Sequence, residues 1–393
     1  MKTETQQSDL SPFVVWVMAV ATGLTVACNY YIQPLLHTIS VEFGISIATA
    51  GALVTVSQVG YALGLVLVVP LGDLFERRRL ISVMTLMTSG SLLLMAFAPH
   101  FSFLFVGALL TAVCSVSAQI LVPFAATLAS PSSRGKVIGT VMSGLLLGIL
   151  LARTFAGVIA DLGGWRVVYI VAAVLMLIAT AVLYRVLPTY HQNAGLSYGR
   201  LLWSIFTIFK EEPVLIRRSV LGGLSFAIFS ILWTSMAFLL AGSPYHYSDS
   251  VIGLFGLAGA AGAFAATPVG RLADQGKTSL TTFWGLVILL LSWIPLALGE
   301  TSIWAFLVGV LILDLAAQVV HISNQSVIYS LRPDARNRIT AGYMTSYFIG
   351  GAIGSLLSGL ALTYAGWQGV VAVGAVIGLL GLGVWFMPGK RQA

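Results

Sequence analysis

Charge is scarce in this chain. Of 393 residues only 8% are Asp, Glu, Lys or Arg, while 58% are hydrophobic and the mean hydropathy is +0.97. Soluble domains carry about 25% charged residues, so a soluble globular fold is excluded. Cysteine is nearly missing as well. Cys28 and Cys114 are the only two, both mid-way along apolar runs, and read as small packing residues rather than a disulfide or a metal pair. The chain also lacks a G-x-x-x-x-G-K-[ST] phosphate loop, a Gly-x-Ser-x-Gly elbow and an H-E-x-x-H pair, and its five histidines, His37, His100, His191, His246 and His321, are scattered. These absences argue against an enzyme, exclude ATP drive within the chain and leave no cofactor to expect.

What is present is a succession of apolar runs near the ~20 residues that a membrane helix needs. Twelve spans are expected, near 12–36, 47–70, 80–98, 101–129, 137–160, 166–187, 215–241, 250–270, 279–299, 303–331, 339–364 and 367–387. The net charge of +7 would suggest nucleic acid in a soluble protein, but its placement argues otherwise. With the N-terminus inside, eighteen of the twenty Lys and Arg residues fall on cytoplasmic segments; the exceptions are Arg153, inside a span, and Arg166, in an outer loop. The positive-inside rule then puts both termini in the cytoplasm, and no nucleic-acid partner is expected. Met1 to Asp9 is polar and leads into an apolar run too long for a signal peptide, so the first span is expected to be retained.

The polar stretch from Tyr190 to Arg218 divides the chain near its middle. Within it, Leu201, Leu202, Ile205, Phe206 and Phe209 share one helical face, the pattern of a helix lying on the membrane surface. A shift of 202 residues aligns the halves. Pro131 falls on Pro333, Arg134 on Arg336, Lys136 on Arg338, Met142 on Met344, Gly148 on Gly350, Gly157 on Gly359, Gly164 on Gly366 and Trp165 on Trp367; an offset of 201 sets Asp73 on Asp274. Charged loop residues matching at one offset imply an internal duplication. The expected fold is therefore an all-α membrane protein of twelve transmembrane helices in two pseudo-symmetric six-helix bundles: 1–189, a cytoplasmic linker 190–214, and 215–393. A solute site at the midplane between such repeats is a transporter arrangement.

Over essentially its whole length the sequence resembles the major facilitator superfamily. GDLFERRR after the second span resembles the family loop motif G-x-L-x-D-R-x-G-R-R: Leu71, Asp73, Arg77, Arg78 and Arg79 match, while Val69 and Glu76 replace its glycines. The second-half copy runs Gly270, Arg271, Leu272, Ala273, Asp274, and the Arg134-Gly135 pair also fits. YYIQPLL in span one and DLAAQVVHISNQ in span ten are similar to bacterial proton-coupled drug and sugar efflux transporters. The span-five pattern of that subgroup is degraded, with Ile149, Leu151 and Ala152 in place of its proline and glycine pair, and Ala108 or a neighbour stands where the family often has a span-four arginine.

The resemblance implies an inner-membrane, multi-pass monomer whose partners are a small solute, protons and the lipid bilayer, with the proton gradient as its energy source. Efflux by antiport is expected; proton symport or facilitated uptake is the alternative. It implies a gate in which Asp73 pairs with Arg77 or Arg78 and faces the start of span eleven near Arg338, with Asp274 doing the same toward span five; Arg134, Arg271 and Arg336 belong to the same set. The competing reading makes these ordinary loop charges that set topology. Gly144 and Gly148, Gly253, Gly256, Gly259 and Gly262, and Gly350, Gly351 and Gly354 are expected along the sliding seam of spans five, eight and eleven.

Within the spans, Asp314 is the one acid at hydrocarbon depth. Inserting it costs on the order of 2.5–3.5 kcal/mol, so it must face the bundle interior; desolvation disfavours its charge, which suits a proton carrier. Asp314, Gln318, His321 and Gln325 share one face, and His321 is a second titratable candidate. Arg153 lies ~24 Å and Asp314 ~27 Å from their cytoplasmic helix ends, at ~1.5 Å per residue. Either they pair across the bundles, or Arg153 snorkels outward and Asp314 bonds to Gln318 or a nearby hydroxyl. Asn29, Tyr30, Gln33, Gln119, Trp233, Gln318, His321, Asn324 and Gln325 complete the solute-binding set. Amides and aromatics with little fixed charge suit a neutral or amphipathic solute.

Overall fold

The computed structural model describes residues 10–130, 132–190, 197–266, 269, 272, 275–331 and 336–387, with backbone alone at 336 and 337. All regular elements among them are helices. The spans are α1 (Pro12–Phe43), α2 (Ile47–Asp73), α3 (Arg77–Ala96), α4 (Phe101–Leu128), α5 (Arg134–Gly163), α6 (Trp165–Val186), α7 (Pro213–Ala241), α8 (Asp249–Ala265), α9 (Thr278–Ala297) and α10 (Ile303–Leu331). A last helical run, Arg336–Phe386, turns at Gly366 and so contains α11 (336–365) and α12 (367–386).

Local sequence sets the breaks. α1 opens into a turn between Ala27 and Ile32, and α4 is interrupted at Val116. α2 tightens into a 3₁₀ turn, Val69–Asp73, at Pro70, where proline cannot donate the next helical bond. The duplication is visible at the α5–α6 and α11–α12 junctions. Gly164 and Gly366 both adopt positive φ (86° and 62°), a conformation that glycine takes without steric cost. The tryptophan after each is buried: Trp165 donates its indole N–H to Glu42, and Trp367 donates to the Leu296 carbonyl at 2.7 Å.

Small residues let backbones meet inside each bundle. Gly144 and Gly148 of α5 rest on the backbone of Ala19 and Gly23 in α1, and Gly350 and Gly354 of α11 rest on Gly223 and Ala227 in α7. Without a hydrophobic drive between helices in lipid, such close packing is what holds a bundle together. These glycines therefore serve packing within a bundle, contrary to the expectation that they line the seam. Gly259 and Gly262 likewise face α10. Gly253 and Gly256 do lie on the seam as expected, against Arg153, and two further glycines join them there: Gly157 against the Asp249 backbone and Gly359 against Ala48. With the Thr55–Ser355 hydroxyl pair at 2.8 Å, they join α2 to α11 and α5 to α8 at the end away from Asp73 and Arg77.

At the opposite, basic end the bundles part. The linker helix Tyr198–Glu211 spans them there: the Tyr198 hydroxyl donates to the Leu67 carbonyl at 2.6 Å, and Phe209 packs on Gly342 of α11. Its inward face is Leu201, Ile205 and Ile208. The face expected to lie on the membrane is therefore split: Leu201 and Ile205 are buried against the protein, while Phe206 is 61% exposed beside Trp203 at 73%.

Candidate functional site

A cavity of about 1220 Å³ lies between the bundles and opens at the basic end. Asp73, Arg77, Arg134 and Arg338 line its mouth with Leu201 and Ile205 of the linker helix; Arg153 and Asp314 form its deepest wall. Asp314, Gln318, His321 and Gln325 all line it, so the polar stripe of α10 faces the cavity between the bundles.

The deep wall is a layered cluster. Arg153 is 3% exposed and Asp314 5%, yet they make no direct ion pair. Trp233 of α7, fully buried, stands between them: its indole N–H donates to Asp314 Oδ1 at 3.1 Å, and the Arg153 guanidinium carbon lies 3.8 Å from the centre of its ring. The cation is thus stabilised by the π-face and the anion by the N–H of one side chain. Gln33 accepts from Arg153 Nε at 2.7 Å, and Tyr30 and Phe229 supply further ring faces at 5.0 and 5.6 Å. Arg153 Nη2 is buried with no hydrogen-bond partner among the described residues. Gly259 makes this arrangement possible, since a Cβ there would collide with both the Asp314 carboxylate and the Trp233 indole.

Nearer the mouth the walls are aromatic. Tyr347 of α11 stacks on Phe226 of α7 with ring centres 4.0 Å apart, and Tyr61 of α2 meets Phe348 at 4.2 Å while accepting from Gln119 Nε2 at 3.2 Å. His321 packs against Tyr347 at 4.7 Å and its Nδ1 lies 3.2 Å from the Tyr343 hydroxyl. Asn29, in the α1 break, donates to Ser115 beside the α4 break at 2.7 Å. Such a lining, apolar faces with a few polar groups among them, has the composition of a small-molecule pocket. Among the described residues, no three or more His, Cys, Asp or Glu side chains are grouped as a metal site.

The Major Facilitator Superfamily model matches residues 18–298 and 219–393. The chain belongs to the Major Facilitator Superfamily. Among the relatives of this superfamily transporter, it is 57% identical over 384 residues to the uncharacterized transporter YgaY of Escherichia coli O157:H7, covering 98% of each chain. It is 24% identical over 395 residues to a "Probable sugar efflux transporter" of Mannheimia succiniciproducens, covering 95% of this chain and 93% of the other. The fold matches a bacterial homolog of the human lysosomal transporter Spinster, solved inward-facing and unoccupied, with a TM-score of 0.80 at 16% identity, covering 95% and 96% of the two chains.

Several expected site residues of this superfamily chain fall elsewhere. Asn324 is fully buried and accepts from Arg218 Nη1 at 3.2 Å, so it braces α7 against α10 instead of lining the cavity. Gln33 and Trp233 sit behind the cavity surface and hold Arg153 and Asp314. Arg153 does not snorkel. At the mouth, Arg77 is the partner of Asp73 at 3.4 Å and is buried beside the Gly72 carbonyl, Thr127 and the Tyr190 ring. Among the described residues Asp73 makes no bond to α11, and both line the open mouth. Arg78 points away, over the Tyr184 ring on the outside of the bundle. Arg271 and Asp274 lie outside the described residues, as does the side chain of Arg336.

The sequence reading missed the aromatic wall and an outer latch. At the closed end Thr38 of α1 donates to the Asp249 carboxylate of α8 at 2.8–2.9 Å, Thr154 donates to the Gly253 carbonyl at 3.0 Å, and Asp161 accepts the Ser250 N–H at 3.2 Å. Asp161 and Asp249 had the signal of acids at matched outer helix ends, but so do ordinary loop charges.

Proposed function

We propose that this transporter exports a small amphipathic solute across the bacterial inner membrane, as a monomer with cytoplasmic termini, in exchange for protons. The observation that carries the reading is the Arg153–Trp233–Asp314 cluster in the wall of a cavity open at the basic end. The positive-inside distribution makes that end cytoplasmic, so the cavity is placed to load solute from inside the cell. The solute's apolar part lies among Tyr61, Phe226, Tyr347 and Phe348, and a hydrogen-bond acceptor on it takes the free Arg153 Nη2. Asp314 carries the proton. As a carboxylate it holds the Trp233 N–H and keeps the indole under Arg153; once protonated it accepts that bond more weakly and frees Trp233 and Arg153 to shift. Solute at Arg153 and proton at Asp314 thereby compete, which is the requirement for antiport. The efflux assignment of a relative sharing 24% identity supports the direction.

The degraded span-five pattern favours symport or facilitated uptake as the second reading. Acid-loaded everted vesicles containing the protein, challenged with a panel of sugars, amino acids and drugs, separate them. Export predicts lumen alkalinisation on adding the right solute. Co-movement of solute and protons, or solute movement without protons, overturns it.

A further inference from the structure

Arg78, expected at the gate, instead faces a groove on the outside of the first bundle. The groove has a volume of about 560 Å³ and runs between α3 and α6 at the basic end. Its polar end is formed by Glu76, Arg78 and Arg79, a net single positive charge, and its walls include Val83 and Leu86 of α3 and Leu177 of α6. Arg78 Nε is buried and has no hydrogen-bond partner among the described residues. The nearest acid is already engaged: Glu76 caps α3, accepting the N–H groups of Arg78 and Arg79 at 2.9 Å each and that of Tyr190 at 3.2 Å. From Arg78 to Leu86 the groove extends ~12 Å along α3 at ~1.5 Å per residue, toward the membrane midplane.

We infer that this groove binds an anionic phospholipid of the cytoplasmic leaflet, with its phosphate on Arg78 and Arg79 and an acyl chain along Val83, Leu86 and Leu177. The inference rests on the membrane orientation proposed above. A guanidinium fork matches phosphate geometry, and basic pockets between membrane helices on the cytoplasmic side suit acidic headgroups. The apolar groove leading from the arginines toward the midplane selects a lipid over a free anion, because only an amphiphile fills both ends.

The test is native mass spectrometry of the delipidated full-length chain titrated with phosphatidylglycerol, phosphatidylcholine or inorganic phosphate. The wild type is expected to retain one phosphatidylglycerol in preference to phosphatidylcholine, with inorganic phosphate failing to displace it. Arg78→Gln with Arg79→Gln should weaken that binding on the order of tenfold, while Arg200→Gln with Lys277→Gln, exposed basic residues outside the groove, should not. Should the arginine variant not fold, Ala181→Trp, which fills the groove and keeps both arginines, must show the same loss. Equal retention of the two lipids, displacement by phosphate, or unchanged binding in the groove variants overturns the inference. None of these readouts depends on transport, so failure here leaves the export reading standing and the reverse.

Discussion

At the scale of single residues, Trp233 does two jobs that the sequence could not display. Trp233→Phe keeps a ring under Arg153 but removes the N–H that Asp314 accepts. A buried charged group that loses a hydrogen bond is destabilised by about 1.5–3 kcal/mol, so proton-coupled transport should fall roughly ten- to hundredfold while the purified protein stays folded and monodisperse. Transport at the wild-type rate would remove Trp233 from the coupling. Glu76 offers a separate check outside the spans. Burial works against its charge, but the N–H groups of Arg79, Tyr190 and Arg78, together with the Arg78 guanidinium, hold its carboxyl below the usual range. A lowered folded-state value means stabilisation that is complete above the ordinary glutamate range and is lost as pH falls through the folded value. Glu76→Ala should therefore lower thermal stability at pH 7, by about 1 kcal/mol for a lost helix cap, and the gap to wild type should close in acid.

At the scale of elements, periodicity fixed which residues share a face but not which neighbour that face meets. The α10 stripe was legible, because four polar residues at helical spacing can be accommodated only beside water. The destination of the glycines was not: Gly148 and Gly253 look alike in sequence, yet one packs on α1 of its own bundle and the other on α5 across the seam. Arg78 and Arg77 are adjacent, and the ~100° of azimuth between neighbours on a helix sends the first to the bundle exterior and the second into the gate. The Thr38–Asp249 latch joins residues 211 apart in sequence, beyond the reach of any local pattern. The seam assignment predicts that Gly157→Leu, which would drive a side chain into the Asp249 backbone, abolishes transport by preventing closure of the outer end. Gly139→Leu on the same helix, where open space surrounds the position, should retain most activity. Equal loss in both, with equal yield of folded protein, would count against the seam.

At the scale of the whole molecule, the 202-residue offset was the most informative sequence feature, since it located matching junctions at Gly164 and Gly366 and matching buried indoles. The cavity could not be read at that scale: its aromatic walls come from α7, expected at the cavity, but also from α2 and α11, which the family resemblance assigned to the seam, and their convergence depends on how far the bundles part. Rocking of the bundles about the closed end predicts that spin labels at positions 134 and 338, on opposite lips of the mouth, approach one another when the outer end opens. The buried Cys28 and Cys114 can be replaced by alanine beforehand. An unchanging distance under acid pH and solute would argue against alternating access by this motion. The central claim, competition between solute and a proton on Asp314, is tested most directly by proton release on binding. Purified protein in weakly buffered detergent should release a proton when a transported solute is added, and Asp314→Asn should bind the same solute with no release. Proton uptake on binding, or undiminished release from Asp314→Asn, would contradict it.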